Sequence, residues 1–95
     1  MKKINRYTVE EATAIIAADE TLQEEFEELR PVYESGALDH GFEYGNFFNL
    51  AEDLNKLVVQ WFDDSDNDYE IIVDSLSIAI VTIRDIEAAG GNINV

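Results

Sequence analysis

The stretch from residue 69 to residue 91, YEIIVDSLSIAIVTIRDIEAAGG, narrows the possible folds more than any other segment of the chain. It is rich in β-branched residues, and LSIAIVTI alone has the composition of a buried strand. Two features predict a helix instead. Glu70, Asp74, Ser77, Arg84 and Asp85 recur at a helical period on one narrow polar face, and Ala88, Ala89, Gly90 and Gly91 form a natural helix exit. Outside that face the segment is apolar nearly all round. Such a helix is either central, packed by the other elements, or shared with a second copy of the chain, which would make residues 71–86 a homodimer contact.

The remaining segments read as further helices around it. Thr8 with Glu11 forms a capping box ahead of Val9, Ala12, Ile15 and Ile16. Thr21 with Glu24 repeats the box, and Leu22, Phe26, Leu29 and Tyr33 make one apolar stripe; Pro31 should kink or stop this helix around Arg30, with Gly36 as terminator. ALDHGFEYGN, with two glycines and two aromatic rings, reads as an ordered loop. A third helix is expected from about Asn46 to Phe62, burying Phe47, Leu50, Ala51, Leu54, Leu57, Val58 and Trp61. The expected fold class is therefore all-α, a compact single-domain bundle of about four helices; the alternative is α+β with a hairpin in residues 69–83. Residues 1–95 form one domain in this reading, with residues 1–6 a flexible basic N-terminus.

The charge says more about function. There are 21 Asp and Glu against 6 Lys and Arg, a formal charge of -15, and Lys2, Lys3 and Arg6 account for half of the bases. A charge of magnitude about 2 to 8 already keeps a small domain in solution, and excess beyond that destabilises by self-repulsion. The 46% of apolar residues is ordinary for a globular domain, so the acidity sits on something folded. No cysteine is present, which removes disulfides and thiolate zinc sites and suits a reducing compartment. MKKINRYTV begins basic but leads into no apolar run of signal-peptide length, and no segment reaches the length of a membrane span. A soluble, cytoplasmic protein is expected.

Catalytic and metal-binding readings find little support. Starting at Asp64, the acids Asp64, Asp66 and Asp68 match loop positions one, three and five of an EF-hand. The match then fails: Tyr69 stands where the turn needs glycine, and Ser75 stands where a bidentate glutamate should close the site. Calcium binding by residues 64–75 is thus a weaker alternative to a solvated acidic turn. His40 is the only histidine, no serine sits in a nucleophile elbow, and no glycine-rich phosphate loop with a lysine is present. We expect no enzyme and no cofactor. Direct nucleic-acid binding is disfavoured because the chain would repel the phosphate backbone everywhere but at its first six residues.

What remains is the acidic surface. Glu24, Glu25, Glu27 and Glu28 lie opposite the Leu22/Phe26/Leu29 stripe, and Glu20 extends a row with Glu24 and Glu28 in which like charges weaken the helix. The stretch WFDDSDNDYE concentrates Asp63, Asp64, Asp66, Asp68 and Glu70. Asp85 and Glu87 stand where the helix dipole favours a base, and Asp63 and Asp64 would do the same at the end of a third helix. Acids placed against local stability in several elements predict selection for surface potential. The expected function is binding and inhibition of a basic nucleic-acid-binding protein through a DNA-like surface, with these ten residues as contacts: Glu20, Glu24, Glu25, Glu27, Glu28, Asp63, Asp64, Asp66, Asp68 and Glu70. Phe42, Tyr44, Trp61 and Tyr69 are candidate aromatic anchors, although core packing accounts for Trp61 better. In size, charge and lack of catalytic motifs the chain resembles small acidic proteins of phages and mobile elements that block restriction or CRISPR machinery; the likeness is one of composition. An acidic interaction module such as an antitoxin, an adaptor or a homo-oligomeric structural protein is the alternative.

Overall fold

A computed structural model describes residues 2–45 and 47–95 and shows an α+β fold. In chain order the elements are β1 (Lys2–Lys3), α1 (Val9–Ala17), α2 (Glu20–Glu34), a 3-10 turn (Ala37–His40), β2 (Phe42–Tyr44), β3 (Phe48–Asp53), β4 (Lys56–Phe62), β5 (Asp68–Val73), α3 (Leu76–Ala88) and β6 (Ile93–Asn94). Strands β2-β3-β4-β5 form an antiparallel meander, and β1 pairs with β6 in parallel. The expected all-α bundle is therefore wrong.

The error lies in residues 47–62, read as a third helix. Their apolar residues satisfy a 3.6 period loosely, but the burial follows a period of two: Phe48 and Leu50 on β3, then Leu57, Val59 and Trp61 on β4, all face the core. Between them Leu54 and Asn55 take φ values of 51° and 67°, the two positive angles of a type I′ hairpin turn, and Asp53 pairs with Lys56. Leu54, expected on the buried face of that helix, is 88% exposed at the turn. Asn46, the expected start of the helix, lies outside the described residues.

The alternative hairpin within 69–83 fails for a related reason. Residues 68–73 are a strand, but they pair back onto β4 with Trp61 opposite Tyr69 and Val59 opposite Ile71, and residues 76–83 are helical. Ser75 makes the switch: its hydroxyl accepts from the Ile78 amide at 3.2 Å and caps α3. The predicted helix thus loses its first part to the sheet and keeps the rest.

α3 is the central helix. One side lies on β4 and β5, and α1 and α2 pack against the other, so Leu76, residues 78–83 and Ile86 are all buried. All three helices lie on one face of the meander. The capping box of Thr8 and Glu11 is present as expected, whereas α2 starts earlier than predicted because Asp19, not Thr21, accepts the amides of Thr21 and Leu22. Pro31 does not end α2. It is exposed, so the Glu27 carbonyl that it leaves without an amide donor faces water, and the helix runs on to Glu34. The expected loop at 37–46 instead contains the 3-10 turn and β2. At the N-terminus Lys2 and Lys3 pair with Ile93 and Asn94, and Ile4 is buried. Among the described residues no helix is long and apolar enough to cross a membrane.

Candidate functional site

The ten candidate acids separate into three groups. The first lies on α2. Because Asp19 caps the helix, Glu20 belongs to its first turn, and Glu20, Glu24 and Glu28 form the predicted row at successive turns. These three and Glu27 are exposed. Glu27 accepts from Arg30 Nη2 at 2.7 Å; no other cation of the described residues pairs with an acid of this helix. The four exposed carboxylates over the nine residues 20–28 occupy about 13.5 Å of helix axis, about one per 3.4 Å. DNA presents about one phosphate per 3.4 Å along a single strand and about one per 1.7 Å of duplex.

Glu25 differs from its neighbours. It is half-buried near the Tyr44 ring. Burial raises its pKa, and the nearby carboxylates of Glu87, Glu28 and Asp19 raise it further. Tyr44 is pushed up to about 12, chiefly by burial and then by Glu25, Glu28 and Glu87. An acid with a raised folded pKa loses stability as pH rises from its ordinary 4.5 through the raised value, because the folded state holds the proton more tightly than the unfolded chain. Glu25→Gln keeps the size of the side chain and removes the charge. A melting temperature a few degrees above wild type at pH 7, converging with wild type on acidification, is the expected outcome of thermal melts; a lower melting temperature at pH 7 would show that the ionised carboxylate stabilises the fold.

The second group is the turn between β4 and β5. The sequence places Asp63 at the end of a helix, exposed and available to a partner. In the structure it is a buried anchor for the turn: its Oδ1 accepts from the Ser65 and Asn67 amides at 2.9 Å each, and its Oδ2 accepts from Asn67 Nδ2 at 3.1 Å and the Tyr69 hydroxyl at 2.8 Å. These donors, with Asn67 contributing most, lower its pKa to about 2. The stability it contributes is complete above its ordinary 3.8 and is lost as pH falls towards about 2. Asp63→Asn should lower the melting temperature at pH 7 and should narrow the gap to wild type across that acid window. Equal melting temperatures at pH 7 would mean that the turn does not depend on the charge.

Asp64 and Asp66 stay exposed on the same turn, Asp64 accepting from Asn92 Nδ2 at 2.9 Å and Asp66 taking φ 60°. The EF-hand likeness does not survive in three dimensions, since strands rather than helices flank the turn and residues 68–73 are extended. Among the described residues no group of three or more acidic or histidine side chains is placed to hold a metal ion.

The third group is on the sheet. Asp68 and Glu70 point away from the helices, on the face that also carries Glu43. Of the expected aromatic anchors, Trp61 is buried and Phe42, Tyr44 and Tyr69 are half-buried. The exposed ring is Phe62, which sequence reasoning misses; the two-residue alternation of KLVVQWF puts it on the face opposite to that of Trp61 once β4 is recognised as a strand. Of residues 71–86, the expected self-association segment, the core claims nearly every apolar side chain, leaving Ile72 as the large apolar residue exposed. Comparison with protein-family models, curated proteins and solved structures finds no match to this chain.

Proposed function

We propose that this chain is an acidic protein-binding domain that occupies the nucleic-acid-binding groove of a basic protein, an inhibitor of the anti-restriction or anti-CRISPR kind. The observation that carries this reading is α2: a rigid row of exposed carboxylates whose axial charge density is close to that of the phosphates along one strand of a DNA duplex. Helix stability does not account for it. Like charges one turn apart weaken a helix, and no base stands in the last turn of α1, α2 or α3 to oppose the dipole. Arg30 and Arg84, the bases carried by the helices, are each paired with an acid, so the remaining exposed carboxylates of α2 set the field along that helix.

A basic groove is the surface that complements such a field. Association would be fast and would weaken steeply with salt, as for any pair of opposed charge arrays. Capture from nuclease-treated lysate on the tagged protein tests the proposal. The expected catch is a nucleic-acid-binding protein released by raised salt and by duplex competitor. A partner that resists both would assign the chain to ordinary adaptor or structural roles.

A further inference from the structure

The face of the sheet that no helix covers is layered by composition. Rung by rung along β4 and β5 it carries the Lys56–Asp74 ion pair, then Ala51, Val58 and Ile72, then Asn49, Gln60 and Glu70, and last Phe62 opposite Asp68. Phe62 and Ile72 are each 55% exposed. Shallow hollows of about 530 and 370 Å³ lie on either side of the Phe62 ring, the first bordered by Asp68 and Glu70 and the second by Glu43. No lysine or arginine lines either one.

A relay of amides crosses three strands to reach one of these acids. Asn49 Nδ2 donates to Gln60 Oε1 at 3.0 Å, and Gln60 Nε2 donates to Glu70 Oε1 at 3.1 Å. The relay fixes the orientation of the carboxylate and leaves Glu70 Oε2 without a protein donor among the described residues. Asp68 stands directly across from Phe62, a pairing with Cβ atoms about 4.5–5.5 Å apart, and Glu70 stands on the diagonal at about 7–8 Å.

We infer that this face is a docking surface for an arginine side chain presented by a partner protein, with the guanidinium on the Phe62 ring and its N–H groups donating to Asp68 and Glu70. Three physical arguments select that occupant. A second copy of the chain would bring -15 against -15 and would set Glu43, Asp68 and Glu70 against like charges. A neutral apolar partner would cover these carboxylates without pairing them, at a large desolvation cost. Lysine supplies a charge but no flat surface to stack and no fork to bridge two acceptors, whereas guanidinium supplies both. The surface lies on the side of the sheet away from the helices, so the inference stands independently of α2.

The test is an amide-shift titration of the ¹⁵N-labelled full chain with a capped Gly-Ser peptide carrying arginines, beside matched peptides with lysine or glutamine at the same places. The expected result is shifts clustered at Gln60, Phe62, Asp68 and Glu70, with arginine binding more tightly than lysine and glutamine not binding. Phe62→Ala should weaken the arginine peptide about threefold to tenfold. That side chain is exposed, so the rest of the spectrum reports that the fold persists. Glu70→Gln, which leaves the ring in place, should weaken binding as well. Shifts confined to residues 20–28 would overturn the sheet surface while leaving the α2 reading intact. No shifts at the sheet, equal binding of the three peptides, or wild-type affinity in Phe62→Ala would each overturn it too.

Discussion

Trp61→Ala is expected to destabilise the fold by about 3–5 kcal/mol, the cost of emptying a buried aromatic site. A domain of this length has a total stability of about 5–14 kcal/mol, so the variant would sit near the edge of folding. Trp61 is 1% exposed, lies between Phe48 and Tyr69 in the cross-strand register, and stacks on Tyr69 with ring centroids 5.5 Å apart. Its Nε1 donates to the Gly91 carbonyl at 3.1 Å, tying the end of α3 to the sheet. The fit leaves no slack on the other side of that bond: Gly91 has φ 84°, and a Cβ there would come within 2.7 Å of the Phe62 carbonyl oxygen. Trp61→Phe separates the two contributions, since it keeps most of the packing and removes only the indole donor, the Gly91 carbonyl still accepting from the Ile93 amide at 3.1 Å, a loss of about 0.5–1.5 kcal/mol. Urea unfolding followed by circular dichroism measures both. A loss under about 1 kcal/mol for the alanine variant would mean that the β4 core is not packed as described.

Reversing Glu24 and Glu28 to lysine is expected to slow association with the partner by between about 10-fold and 1,000-fold at low salt, with a shallower salt dependence than wild type. Each reversal shifts the charge of the α2 row by two units towards positive, and neither residue has a hydrogen-bond or ion-pair partner to lose among the described residues. Stability should be unchanged or slightly improved. A lysine in place of Glu24 would face Glu20, with the second lysine one turn further on, so part of the like-charge repulsion along the helix becomes attraction. A loss of binding therefore cannot be assigned to unfolding. Glu27→Lys is the less informative variant because Arg30 already pairs with Glu27. Unaltered association kinetics in the double variant would remove α2 from the contact.

The parts of the fold that sequence reasoning reaches are those where local chemistry and tertiary structure agree. The Thr8 box caps α1 because both halves of the motif are local. The second part of residues 69–91 is helical because Ser75 caps it and its apolar surface is large enough to be covered on both sides. The sheet is hidden for two physical reasons. Leu54-Asn55 makes a two-residue turn without the glycine that normally marks one, so nothing interrupts residues 48–62 in the sequence. Val58 and Ala51 on the uncovered face then fill positions that polar residues would hold in a plainly alternating strand, and the mixed pattern passes for a helical stripe. Asn67, the residue after Asp66, shows a similar limit: only the folded turn reveals that Asp63 is consumed by Ser65, Asn67 and Tyr69 instead of facing a partner. The acids of α2 are legible because a one-sided helix exposes what is written on its polar face.

A protein that occupies a nucleic-acid-binding groove must compete with nucleic acid for it. Fluorescence anisotropy of a labelled duplex bound to the captured partner, titrated with the unlabelled protein, reads that competition without an intermediate step. Complete displacement of the duplex is expected, with a midpoint that rises in proportion to duplex concentration. A stable ternary complex, in which the partner holds both the duplex and this protein, would show that the two occupy different sites and that the acidic row of α2 does not stand in for DNA.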